Sequence, residues 1–138
     1  MKKNIFFKTN LWMILFWVWV VLILILTSMP SNPEIIKEEK DFIIRIDYLE
    51  HIFFFTVQSF LFFLAYPYGS VQTKKINSIL WLLAGITFAT ITELYQVFIP
   101  GRSFNPVDLA LNISGLLAGI PIGKIFLLRI SQYNKDNT

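Results

Sequence analysis

TELYQVFIPGRSFNPVDLALNISGLLAG, residues Thr92 to Gly119, carries Glu93, Gln96, Arg102, Asp108 and Asn112 inside a run that is otherwise mostly apolar. Pro100-Gly101 breaks the run in its middle, and Gly115 and Gly119 stand four residues apart near its end. An ionisable side chain at hydrocarbon depth costs about 2.5–3.5 kcal/mol on insertion scales, so these groups are expected to pair with one another inside a bundle.

The rest of the chain says what solvent surrounds that stretch. Of 138 residues, 55% are hydrophobic and 15% charged, with 14 Phe and 4 Trp, a balance more apolar than a soluble core of this size needs. Leu11 to Met29 contains no charged residue, and at about 1.5 Å per residue it is long enough for a hydrocarbon layer of about 30 Å. Residues 49–68, 77–99 and 109–128 are further apolar runs, the third interrupted only by Glu93 and the fourth carrying Asn112 and Lys124 near its ends. No alternating ten-residue pattern argues for a barrel. The expected fold is therefore all-α, a polytopic membrane protein with a bundle of four transmembrane helices in a single domain, 1–138. Lys2, Lys3 and Lys8 precede the first span as in a signal peptide. Its apolar run is longer than a usual h-region, however, and Thr27-Ser28-Met29-Pro30 is a poor cleavage site, so a retained first helix is expected.

Charge placement gives an orientation. With the N-terminus inside, the cytoplasmic side carries Lys2, Lys3, Lys8, Lys74, Lys75, Lys124, Arg129 and Lys135, against Lys37, Lys40, Arg45 and Arg102 outside. The excess of basic residues predicts that both termini are cytoplasmic, in a multi-pass protein of the bacterial cytoplasmic membrane. The net charge of +3 then reflects topology and anionic lipid, and no basic stripe interleaved with aromatics suggests nucleic acid. With no cysteine, disulfide and thiolate chemistry are excluded. The long loop, 30–47, lies outside in this topology. Its Ile35, Ile36, Phe42, Ile43 and Ile46 recur near helical spacing, which fits either a short interfacial helix or a solvated linker.

In that topology the unusual polar residues share one depth. Asp47 and His51 open the second helix, Glu93 and Gln96 close the third, and Asp108 and Asn112 open the fourth, all on the extracytoplasmic side. Residues three or four apart share a helix face. Asp47, His51 and Gln58 therefore fall on one face, Thr90, Glu93 and Gln96 on another, and Asp108, Asn112, Gly115, Gly119 and Gly123 on a third. The three glycines form a doubled small-xxx-small stripe, which predicts close helix packing.

Asp47-Tyr48-Leu49-Glu50-His51, then Glu93 to Arg102, then Asp108 to Gly115 with Gly119, resemble the VanZ-like membrane proteins over about residues 41–125. Tyr48 and Ile52 depart from the family pattern, which often has a basic residue after the Asp and an aromatic after the His. The resemblance implies a bacterial integral membrane protein. The founding member is associated with low-level resistance to the glycopeptide teicoplanin, and no mechanism follows from the likeness.

The residues leave several roles open. His51, the single histidine, could serve as a general base or metal ligand, or could cap a helix end through a loop carbonyl. Glu93 could act as a general acid or base, or form an ion pair with Arg102 across the Pro100-Gly101 turn. Asp108 could join a catalytic set with His51 and Glu93, or cap the fourth helix. Asp47, Gln96, Arg102 and Asn112 complete the candidate binding residues. One imidazole and three carboxylates would suit zinc, magnesium or manganese, but with no compact metal motif the cofactor is left unknown. Two functions stand foremost: a binding protein whose outer polar pocket engages an envelope lipid, a lipid-linked cell-wall precursor or a glycopeptide, and an intramembrane hydrolase or transferase. A carrier is disfavoured because no polar path continues to the cytoplasmic end. Partners are the bilayer and a second copy of the chain, through the Trp12, Phe16 and Trp19 face of the first helix. No phosphate loop, serine elbow or nucleotide fingerprint is present.

Overall fold

In a computed structural model the chain is all-α. The structure describes residues 2–31, 46–65 and 74–136, with side chains for 11–31, 46–65, 79–129 and 132–133. Among the described residues four helices follow one another: α1 (Lys2–Thr27), α2 (Ile46–Ala65), α3 (Lys74–Gln96) and α4 (Pro106–Asp136). The helix expected at the outer interface, among residues 32–45, lies outside the described residues.

Local chemistry sets the helix ends, and it moves them from the spans read off hydropathy. α1 closes at Thr27, where Thr27 Oγ1 donates to the Ile23 carbonyl (2.9 Å) and Ser28 Oγ to the Leu24 carbonyl (2.6 Å). Those bonds occupy carbonyls that a finished helix leaves without amide donors. α3 stops at Gln96, so residues 97–99 are not helical as expected. The amides of Val97, Phe98 and Ile99 reach back only three residues, to Leu94, Tyr95 and Gln96, because Pro100 disfavours the helical conformation in the residue before it. Gly101 then takes a positive φ of 78°, a region open to glycine without steric cost. α4 begins three residues before the expected span. Pro106 sits in its first turn, where its missing amide costs nothing, and Asn105 Oδ1 accepts from the Val107 amide (3.0 Å). The cap is therefore Asn105 and not Asp108, whose side chain turns into the bundle.

The helices form a ring in the order α1, α2, α4, α3, with α2 against α4 as the most extensive contact and α1 also touching α3. That central contact follows from the glycine stripe. A Cβ at Gly115 would lie 2.5 Å from the Ile52 carbonyl oxygen, one at Gly119 would fall on Ser59 Cβ and the Thr56 carbonyl, and one at Gly123 would lie 2.9 Å from Phe63 Cβ. All three thus face α2, where only a hydrogen fits. Aromatics fill the other seams. The Phe62 and Trp81 rings stack at 3.7 Å and 6°, and Trp19 Nε1 donates to the Phe54 carbonyl at 2.9 Å.

Phe16 is buried, and Trp12 and Trp19 pack against the same cluster. The face expected to mediate self-association thus packs partly within the bundle, through Phe16 fully and through Trp12 and Trp19 in part. The outward surface is apolar instead: Ile14, Trp17, Val18, Leu83, Ile91 and Ile125 are all more than half exposed. Among the described residues three helical segments, Ile46–Ala65, Ile79–Gln96 and Pro106–Arg129, are long and apolar enough to cross a membrane, and Leu11–Thr27 is a shorter apolar helix. An apolar exterior around buried polar groups inverts the pattern of a soluble bundle, as a lipid solvent requires.

Candidate functional site

At one end of the ring, three helices deliver polar side chains to a common point. α2 supplies Asp47 and His51 from its first two turns, α3 supplies Glu93 one turn before its end, and α4 supplies Asp108 and Asn112 from its start. His51 lies at the centre. Its Nδ1 is 2.9 Å from Asn112 Oδ1 and 3.7 Å from Glu93 Oε1, while its Nε2 is 3.3 Å from Asp47 Oδ1 and 3.7 Å from Asp108 Oδ2. Asn112 Nδ2 donates to Glu93 Oε1 at 3.0 Å.

This arrangement fixes roles. An ionised carboxylate only accepts, so Asn112 must direct its amide nitrogen to Glu93 and its carbonyl oxygen to His51. His51 Nδ1 therefore carries a proton and donates it to Asn112. Nε2 is left aimed between two carboxylates. Most of the centre is withdrawn from solvent: Glu93 is fully buried, Asn112 and Asp108 are buried, and the His51 side chain is 12% exposed, while Asp47 at the outer edge is 23% exposed. Glu93 Oε2 has no hydrogen-bond partner, which at this depth is a costly state for an ionised oxygen. Asp47, His51 and Asp108 each offer an atom that could hold a metal ion, and these atoms lie within 4.8 Å of one another. A recess of about 50 Å³ opens beside the cluster between α1 and α2, walled by Ile23, Leu26, Thr27, Phe54 and Phe55, with His51 among its lining residues.

Two candidate residues stand apart. Arg102 does not meet Glu93: its Nε donates to the Met29 carbonyl at 2.9 Å, tying the α3–α4 turn to the end of α1. Ser31 Oγ reinforces the tie by donating to the Gly101 carbonyl. The guanidinium is used to close the turn because Met29 has already left α1 and its carbonyl has no helical donor. Gln96 is buried one turn beyond Glu93, and its Nε2 has no hydrogen-bond partner. Sequence reasoning missed Asn105 as the cap, although an Asn directly before a Pro at a helix start is the usual signal for one. It also gave no weight to Ser59, which is buried and donates to the Leu116 carbonyl at 2.9 Å.

A search against protein-family models matches residues 10–127 to the family described as VanZ/LLP1. The chain belongs to the VanZ/LLP1 family. The matched span holds every member of the polar cluster as well as the glycine stripe, so what converges on His51 is part of the VanZ/LLP1 domain. With its apolar helices, that membership makes the chain a membrane protein. No curated protein and no solved structure gives a significant match.

Proposed function

We propose that this VanZ-like protein crosses the bacterial cytoplasmic membrane four times with both termini in the cytoplasm, and that its polar centre binds the polar part of an envelope molecule at the outer leaflet. Candidate ligands are an envelope lipid, a lipid-linked cell-wall precursor or a glycopeptide such as teicoplanin, with low-level resistance to that antibiotic as the resulting phenotype. The observation that carries this reading is the convergence of His51, Asp47, Asp108, Glu93 and Asn112 from three helices beside a recess. Ionisable residues at membrane depth are functional far more often than they are ornaments of packing, because each must offset its own desolvation. The basic residues near the chain termini and in the first turn of α3 support the orientation.

A second reading is favoured by one feature of the same centre. Glu93 is linked to His51 through Asn112 at 3.0 and 2.9 Å, a connected acid, amide and imidazole that would suit general acid–base work by a hydrolase or transferase on a lipid-linked substrate. Asp47 and Asp108 would then orient the imidazole.

One experiment separates the two. Expressed in a glycopeptide-susceptible bacterium, a binding protein with the His51→Gln substitution should keep much of any gain in teicoplanin tolerance, since glutamine preserves a polar group of similar size. Complete loss in a variant that inserts normally and melts like the wild type would favour turnover. Purified protein in nanodiscs that binds neither labelled lipid-linked precursor nor glycopeptide above a lipid-only control would remove the binding reading.

A further inference from the structure

We propose that the polar centre is a divalent-cation site of the zinc or manganese class, with Asp47, His51 and Asp108 as its ligands. The direction of the hydrogen bonds carries this. Asn112, held by Glu93, receives the Nδ1 proton of His51, so Nε2 is the ring nitrogen left to face the carboxylate oxygens of Asp47 and Asp108, at 3.3 and 3.7 Å. With the ring neutral, Nε2 and one oxygen from each carboxylate form a set of three lone-pair atoms that a single divalent cation can bridge.

The spacing suits a metal ion. With metal–ligand distances of about 2.0–2.2 Å, tetrahedral ligands stand about 3.3–3.6 Å apart. The two Nε2–oxygen separations match this to within a few tenths of an ångström, and the three candidate atoms lie within 4.8 Å of one another. Asp47 and His51 are one helical turn apart on α2, a spacing that points two ligands to one side, while Asp108 enters from α4. The polar groups around the centre fit as well. A histidine that ligates through one nitrogen nearly always donates from the other, which holds the ring and its tautomer in place, and the buried Asn112 and Glu93 do this here. Glu93 Oε2, fully buried and lacking a hydrogen bond, adds negative charge that a nearby cation would stabilise. A +2 ion would also offset most of the negative charge that Asp47, Glu93 and Asp108 bring to the centre.

A proton is the competing cation. Were His51 an imidazolium, its Nε2 would donate to Asp47 and no metal would be held. Because His51 is the sole histidine, one resonance set decides the matter. Tag-free protein in nanodiscs, labelled with 15N-histidine, is equilibrated with Zn2+ and passed over a desalting column. The expected result is one zinc retained per chain, an Nε2 resonance shifted by coordination and an Nδ1 that keeps its proton. His51→Ala and Asp108→Asn should each weaken zinc retention at least 10-fold. Glu50→Gln, which removes an equal charge from the same helix outside the ligand set, should retain it. Should the ligand variants prove unstable, the wild-type spectrum decides alone. Two protonated ring nitrogens that do not respond to Zn2+, or zinc retained equally by the Asp47→Asn/His51→Ala/Asp108→Asn triple variant, would overturn the proposal.

Discussion

Gly115→Ala should loosen the bundle and break the polar centre together. A Cβ at this position would lie 2.5 Å from the Ile52 carbonyl oxygen and 3.1 Å from both Phe55 Cβ and the Thr56 amide nitrogen. None of these atoms can rotate aside, since two are backbone and the third is the root of a side chain. Bringing 2.5 Å to an ordinary contact of 3.4 Å requires α2 and α4 to separate by about 0.9 Å locally, enough to forfeit roughly a quarter to a half of the dispersion energy across that seam. Overpacking of this kind costs about 1–3 kcal/mol. Asn112 lies one turn before Gly115, so the same displacement would stretch the 2.9 Å contact between His51 and Asn112 to about 3.8 Å, beyond hydrogen-bond range. That loss adds about 0.6 kcal/mol, the average for side-chain bonds within membranes. Thermal unfolding in nanodiscs measures the first effect and the His51 Nδ1 resonance the second. A variant that melts with the wild type and keeps that resonance unchanged would refute the close packing on which the site depends.

Because Arg102 bonds to the Met29 carbonyl and Glu93 to Asn112, the Glu93→Gln and Arg102→Gln losses should add to within about 0.5 kcal/mol in the double variant. Coupling well above that in unfolding measurements would restore the ion pair expected from sequence. Asn105→Ala should cost about 1 kcal/mol through loss of the α4 cap, whereas Asp108→Ala should leave capping intact. Amide hydrogen exchange at Val107 reports the difference. Trp19→Phe removes the 2.9 Å bond to the Phe54 carbonyl while keeping most of the ring contact, so it should destabilise by about 0.5–1.5 kcal/mol. A variant as stable as the wild type would mean that α1 is held on α2 by aromatic contact alone.

Much of the scaffold was legible because its causes are periodic. Four apolar runs gave four helices, and glycines at every fourth position named the α4 face that meets α2. That Asp47, His51, Glu93, Asp108 and Asn112 meet at one end of the bundle followed from counting residues along helices. What sequence could not give depended on competition between acceptors. Glu93 and Arg102 flank one turn and carry opposite charge, yet Arg102 is drawn to the Met29 carbonyl, which has no helical donor once α1 has ended. That competitor is a backbone atom of a remote segment, and no spacing reveals it. The inward turn of the Trp12, Phe16 and Trp19 face was hidden for a similar reason: α1 is apolar all round, so hydropathy does not distinguish its lipid side from its protein side.

The choice of an amide rather than a guanidinium beside Glu93 has a chemical consequence. A guanidinium has donors only, so an arginine at that place could neutralise Glu93 but could not accept the Nδ1 proton of His51. Asparagine does both, giving to Glu93 through Nδ2 and taking from His51 through Oδ1, and it thereby sets which ring nitrogen faces Asp47 and Asp108. Its position, three residues before Gly115 on the same face of α4, means that the approach of α2 and α4 permitted by glycine also sets the length of that bond. Packing and chemistry are thus carried by one helix face, and a substitution that adds a single methyl group to the stripe acts on the histidine without touching it.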